Sequence, residues 1–125
     1  MRLRIFPPEE MLETTVALPL SKSMSVRAVA LAAFGASYDA PLAECADTEA
    51  MRRVAAARSG RAGAGDSAAA LRFGTALLAA TPGADVTLTG SDALMRRPVA
   101  PLLDMLRSLG ADVEPTAAGA AVRGR

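Results

Sequence analysis

Hydrophobic positions along this chain change period several times, and those changes mark out the elements. Residues 22–34 carry Met24, Val26, Val29, Ala30, Ala33 and Phe34 at helical spacing, and Gly35 closes the run. "TEAMRRVAAARS" reads as a second helix, with Asp47 as its N-cap and Gly60 at its end. "AAALRFGTALLAAT" reads as a third, opened by the glycine-rich loop "GRAGAGDS" with Asp66 as cap and stopped by Pro82-Gly83. "ADVTLTG" alternates through Val86 and Leu88, as a half-buried strand does. "SDALMRR" reads as a loop, Pro98 suits the first turn of a helix, and "VAPLLDMLRSLG" follows with Gly110 as its C-cap. "RLRIFP", "TTVALPL" and "SYDAPLAE" read as strands, and "ADVEPT" and "AAVRG" as a closing pair. Strands and helices in this order predict a single α/β or α+β domain over residues 1–125, with helices packed on sheet.

Composition narrows the picture. Alanine supplies 29 of the 125 residues, while aromatic residues amount to three Phe and one Tyr, so the helices must pack closely around a thin core. Fourteen Lys and Arg against thirteen Asp and Glu leave a net charge of +1, with no basic tract to suggest nucleic acid. The absence of histidine removes the commonest general base and metal ligand, and the single cysteine, Cys45, excludes an internal disulfide or a cysteine-rich metal site. "MRLRIFPPEE" lacks a signal-peptide core and no apolar run approaches membrane-spanning length, so a reduced, cytoplasmic protein without membrane contact is expected.

Candidate chemistry gathers at helix starts. "PLSKSMSVR" places three serines, the chain's only lysine and an arginine at the mouth of an apolar helix. The first N–H groups of a helix point outward without partners, and the peptide dipoles add partial positive charge there. Ser23 and Arg27, four residues apart, share a face, and Lys22 stands at the mouth itself, which suits a phosphate or carboxylate. The same residues also make an ordinary serine-capped helix with solvated cations. Arg72 and Arg97 lie near two further mouths, at 65–67 and 91–98. For Arg72 a salt bridge or a solvated position is expected, and for Arg97 either an anion or an ion pair with Asp92 or Asp104.

"LPLSKSMSVRAVALAA", "GDSAAALRFGTALLAA" and "VTLTGSDALMRRPVAPLLDMLRSLGADVE" together resemble, in that order, the amino-terminal part of the 5-enolpyruvylshikimate-3-phosphate synthase family, also called 3-phosphoshikimate 1-carboxyvinyltransferase. The resemblance implies part of an inside-out α/β barrel built from repeated strand–helix units, with helix N-termini directed at a cleft between two domains. It implies transfer of the enolpyruvyl group of phosphoenolpyruvate to the 5-hydroxyl of shikimate 3-phosphate, with no metal and no organic cofactor, a step of the shikimate pathway to chorismate and the aromatic amino acids. By position, Lys22, Ser23 and Arg27 would hold shikimate 3-phosphate, and Lys22, Arg97 and the backbone at Ala68 would hold phosphoenolpyruvate. The family's general acid and base residues match nothing in these 125 residues. No catalytic residue is therefore assigned here, the second domain is expected to be absent, and the isolated chain is expected to be inactive.

This sequence departs from the family pattern at the second mouth. "GDSAAALR" stands where Gly-Asn-Ala-Gly-Thr-Ala-Met-Arg is usual, so that Asp66, Ala68 and Ala69 replace asparagine, glycine and threonine, and Val26 replaces an asparagine of the first motif. An added methyl and an added negative charge should both disfavour phosphoenolpyruvate. Two other functions fit the same residues. One is a non-catalytic remnant that self-associates through the face a second domain would cover. The other is a fragment resembling UDP-N-acetylglucosamine enolpyruvyltransferase, which shares the architecture.

Overall fold

The computed structural model describes residues 3–7, 11 and 13–125. Its centre is a four-stranded sheet in the order β1-β2-β4-β3, formed by Ser59–Gly65, Asp85–Gly90, Asp112–Thr116 and Gly119–Arg123 as β1 to β4. β1 and β2 are parallel, whereas β4 runs antiparallel to both β2 and β3. Val86 and Leu88 of β2, Val113 of β3 and Ala120 and Val122 of β4 all turn to one buried face, while Thr87 and Ala121 turn to the other. Among the described residues there are also five helices: α1 Lys22–Ala32, α2 Ala46–Ala56, α3 Ala68–Ala79, α4 Asp92–Met95 and α5 Ala100–Ser108.

α3 lies at the centre of the helical layer and touches all four strands, α1, α2 and α5. Leu71, Leu77 and Leu78 supply its buried side, and Gly74 lets α2 approach: a Cβ there would run into Cγ1 of Val54. Seven of the 21 buried apolar residues among those described are alanines, so close approach replaces bulk in this core. Gly110, at φ +89° just past α5, closes that helix as the sequence predicts.

Several expectations are corrected. "GRAGAGDS" is not a loop: residues 59–65 form β1, because the strongly alternating β2 offers a parallel edge on which Ala62 and Ala64 become buried. Residues 14–20 form no strand, nor do 3–7, and Leu3, Ile5, Phe6, Val16 and Leu18 are exposed; strand formation needs a neighbouring edge, and none reaches them here. Arg2, the first residue of "RLRIFP", lies outside the described residues. Residues 37–44 also form no strand; Ala43 instead donates its N–H to the Ser25 hydroxyl at 2.8 Å. "SDALMRR" contains the short helix α4. The caps move too. Cys45, with extended backbone, precedes α2 where Asp47 was expected, and Ser67 rather than Asp66 caps α3. No described helix is long and apolar enough to cross a membrane.

The parallel pair gathers two connecting segments in one place. Because β1 and β2 run the same way and pair Gly65 with Gly90, the segments leaving both strands emerge at the same end of the sheet. The Ser91 N–H ties them by donating to the Gly65 carbonyl at 2.9 Å. In open sheets of this kind the carboxyl ends of parallel strands are where ligands bind.

Candidate functional site

Ser21 caps α1 by accepting from the Met24 N–H at 3.3 Å, which fixes the mouth on which Lys22 and Ser23 stand. One turn on, Arg27 donates through Nη1 to the Ser23 carbonyl at 3.2 Å, so its guanidinium stays near the helix start. Val26, on the inner side, is 2% exposed and belongs to the core. Buried Ser25 anchors the mouth by donating to the Ser21 carbonyl at 2.9 Å while accepting from Ala43.

The second mouth follows β1. Ser67 caps α3 by accepting from the Ala70 N–H at 3.2 Å, and Ala68 and Ala69 form the first turn. Asp66, just before the cap, accepts a short hydrogen bond from the Ser91 hydroxyl, and that hydroxyl in turn accepts from the Leu94 N–H at 3.2 Å to cap α4. Arg72 makes no salt bridge among the described residues; its Nη2 donates to the Pro98 carbonyl at 3.2 Å. Asp66 and Arg72 thus hold the two ends of the 91–98 segment that carries Arg97. Arg97 pairs with neither Asp92 nor Asp104, and Asp104 is taken by Arg107 at 2.9 Å.

These elements enclose one cavity of about 420 Å³. Lys22, Ser23 and Arg27 line it from α1, Ala68, Ala69 and Phe73 from α3, Asp47 from α2, and Asp66 and Arg97 from the connecting segments. Every residue singled out in the sequence as a possible ligand contact reaches this one space. Two helix N-termini, those of α1 and α3, border it. Arg97 comes from the segment before α5 and, among the described residues, has no ion-pair partner.

Sequence reasoning missed Asp47. Its carboxylate lies 3.2 Å from the Lys22 ammonium, and the Ser67 hydroxyl and that ammonium hold its pKa below the usual carboxylate range against the opposing effect of burial. A carboxylate in the first turn of α2 reads from sequence as helix stabilisation. Only the packing of α1 on α2 shows that it also faces a lysine 25 positions away.

The family match decides kinship. Residues 39–123 match EPSP synthase (3-phosphoshikimate 1-carboxyvinyltransferase). The chain belongs to the EPSP synthase family. A 3-phosphoshikimate 1-carboxyvinyltransferase of Bacteroides fragilis is 35% identical over 116 residues, which is 91% of this chain and 28% of that protein. The protein of the same name from Chlamydia pneumoniae is 54% identical over 48 residues, 38% of this chain and 11% of its own. The chain therefore spans little more than a quarter of the length of the B. fragilis relative. Its mixed α/β architecture with a four-stranded sheet is consistent with the EPSP synthase fold.

Among the described residues no group of three acidic, histidine or cysteine side chains is arranged to hold a metal ion. The cavity's own chemistry is that of an oxyanion receptor: three cations, a serine hydroxyl and two helix N-termini, tempered by two carboxylates.

Proposed function

We propose that this chain supplies part of the substrate site for enolpyruvyl transfer from phosphoenolpyruvate to the 5-hydroxyl of shikimate 3-phosphate, in the cytoplasm and without a cofactor. The observation that carries this reading is the convergence of Lys22 and Arg27, from α1, with Arg97, from the segment before α5, on one cavity in a member of the EPSP synthase family. Ser23, Arg27 and Lys22 would hold the phosphate and hydroxyl groups of shikimate 3-phosphate. Arg97 and Lys22 would hold phosphoenolpyruvate, beside the first turn of α3 at Ala68.

In the reaction, protonation of the enol carbon and attack by the 5-hydroxyl oxygen give a tetrahedral intermediate. Loss of phosphate with return of a proton from the methyl carbon restores the enol ether. Both substrates are polyanions, so fixed cations lower the cost of bringing them together and stabilise the leaving phosphate. Proton transfer needs an acid and a base poised for it. The two carboxylates in the cavity are engaged by Lys22 and Ser91 instead, so the 125-residue chain on its own should bind without turnover. The methyl of Ala68 and the charge of Asp66 would make phosphoenolpyruvate the more weakly held of the two substrates.

The helical layer fits the inside-out barrel. Leu31, Phe34, Met105 and Leu109 are exposed on α1, α5 and the turns that follow them, and further units of such a barrel would cover apolar side chains of this kind. The same residues favour self-association as a second reading. Sedimentation at rising concentration separates the two, since a strict monomer that binds ligand rules out self-association as the chain's role.

Titration with shikimate 3-phosphate, alone and with phosphoenolpyruvate, tests the site. Charged hydrogen bonds are worth about 1.5–3 kcal/mol, so Lys22→Ala and Arg27→Ala should each weaken binding by about tenfold or more. Saturable binding that neither substitution affects would overturn the assignment, as would no binding at all. Phosphate release from the two substrates by the 125-residue chain would overturn the inactivity.

A further inference from the structure

The cavity holds two carboxylates that an anion receptor has no evident use for, and their partners differ. Asp66 serves the fold, since it accepts from Ser91 and so joins the second mouth to the third. Asp47 faces Lys22 at 3.2 Å and thereby connects α1 to the first turn of α2, beside the Ser67 cap of α3.

We propose that Asp47 is a positioning residue for Lys22, holding the ammonium over the cavity between the first two helix mouths. The proposal rests on reading that cavity as an oxyanion site. Asp47 is well fixed. It stands in the first turn of α2, where the helix dipole favours a carboxylate, and its side chain is 27% exposed. Lys22 is not. Its side chain is 59% exposed on a flexible four-carbon stem, and among the described residues Asp47 is its only ion-pair partner. Without Asp47 the ammonium would spread over many rotamers, and a ligand would have to order it on binding. Pre-ordering removes that cost.

Geometry also lets the pair and a ligand coexist. An ammonium has three N–H donors, and one contact to Asp47 leaves two for an oxyanion. Asp47 therefore holds the cation without consuming it.

Lys22 is the chain's only lysine, so ¹⁵N-lysine labelling gives a single side-chain ammonium signal. In the wild-type chain that signal should show restricted motion; in Asp47→Asn it should take the shift and mobility of free lysine. Affinity for inorganic phosphate and for shikimate 3-phosphate should fall by about tenfold in Asp47→Asn, and Asp47→Glu should recover part of the loss. In a Lys22→Ala background Asp47→Asn should change affinity less than about twofold, which a merely structural role would not produce. The proposal is overturned if the Lys22 signal stays ordered in Asp47→Asn, or if the affinity loss is equally large without Lys22. Should Asp47→Asn fail to fold, Asp47→Ser, which also removes the carboxylate, carries the test: Lys22 mobility must rise and phosphate affinity fall together, and an unchanged signal rejects the idea. If the wild-type chain binds neither anion, the oxyanion reading fails, while the mobility of Lys22 still decides the role of Asp47.

Discussion

Gly74→Ala is the substitution whose outcome the packing dictates most directly. Gly74 sits in the middle of α3, where α2 crosses it, and an added Cβ would collide with Cγ1 of Val54 while making ordinary contact, 3.6 Å, with Cδ1 of Leu88. On helix propensity alone the change should stabilise by about 0.8–1 kcal/mol. Overpacking opposes it by about 1–3 kcal/mol. Val54 is fully buried in a helix, where its branched side chain has one strongly preferred rotamer, so it cannot swing away and the collision falls in the upper part of that range. The net expectation is a loss of about 1–2 kcal/mol, or roughly 3–8 °C in melting temperature for a domain of this size. Thermal and urea unfolding followed by helical circular dichroism would measure it. Val54→Ala alone should cost about 1–3 kcal/mol by opening a cavity. Combined with Gly74→Ala it opens room for the new methyl, so the double variant should be more stable than the sum of the single effects by about 1 kcal/mol. A Gly74→Ala chain that melts higher than wild type, or additive effects in the pair, would refute the close α2–α3 approach. Because Asp47 lies on α2 and Ser67 on α3, the same substitution should also weaken phosphate binding.

Ser25→Ala removes a buried hydroxyl that donates to Ser21 and accepts from Ala43, so stability should fall by about 1–2 kcal/mol and hydrogen exchange at the Ala43 amide should quicken; unchanged exchange there rejects the anchor. The Ser67 hydroxyl and Lys22 lower the Asp47 pKa, and Arg52 lowers that of Glu44 through hydrogen bonding and charge. A carboxylate whose folded pKa is depressed stabilises fully above its unfolded value, about 4, and loses that contribution as pH falls through the folded value. Melting temperature should therefore drop below about pH 4, less steeply in Asp47→Asn, and identical profiles for the two chains would count against the Asp47 contacts. The Thr48 hydroxyl, assisted by backbone N–H groups, lowers the Cys45 thiol pKa. Its alkylation by iodoacetamide should have a midpoint below the ordinary value of about 8.5, moving up in Thr48→Val; a midpoint at or above the ordinary value rejects the contact.

How much of the fold and site was legible in the sequence depends on whether the deciding interaction is local. α1, α3, α5 and β2 to β4 follow from apolar spacing and from Gly110 and Pro98, all of which act within a few residues. β1 could not be seen this way, because "SGRAGAG" has no strand propensity of its own and becomes a strand only beside β2, in the register Ser59 to Asp85. Residues 14–20 show the converse: β-branched composition, but no edge to pair with. The cations of the site were legible as helix-mouth residues. Asp47 and Asp66 were misread because each satisfies a local rule for capping, while their actual partners lie 25 positions away along the chain.

The two misread carboxylates share one electrostatic origin. Parallel pairing of β1 and β2 sends the segments beyond them to one end of the sheet, and α1 adds its N-terminus there. Positive helix ends and three cations around one cavity repel each other unless something offsets the charge. A ligand can do so only while it is bound. In the empty site the offset comes from Asp47 against Lys22 and from Asp66 at the mouth of α3, each also tying two elements together. The negative charge at position 66, which looked like an obstacle to an anion, is on this account part of what keeps the site assembled before the anion arrives. Lys22 and the 91–98 segment are each braced by a carboxylate, so under the proposed function a polyanion would meet cations already in place, and its binding energy would not be consumed in collecting them.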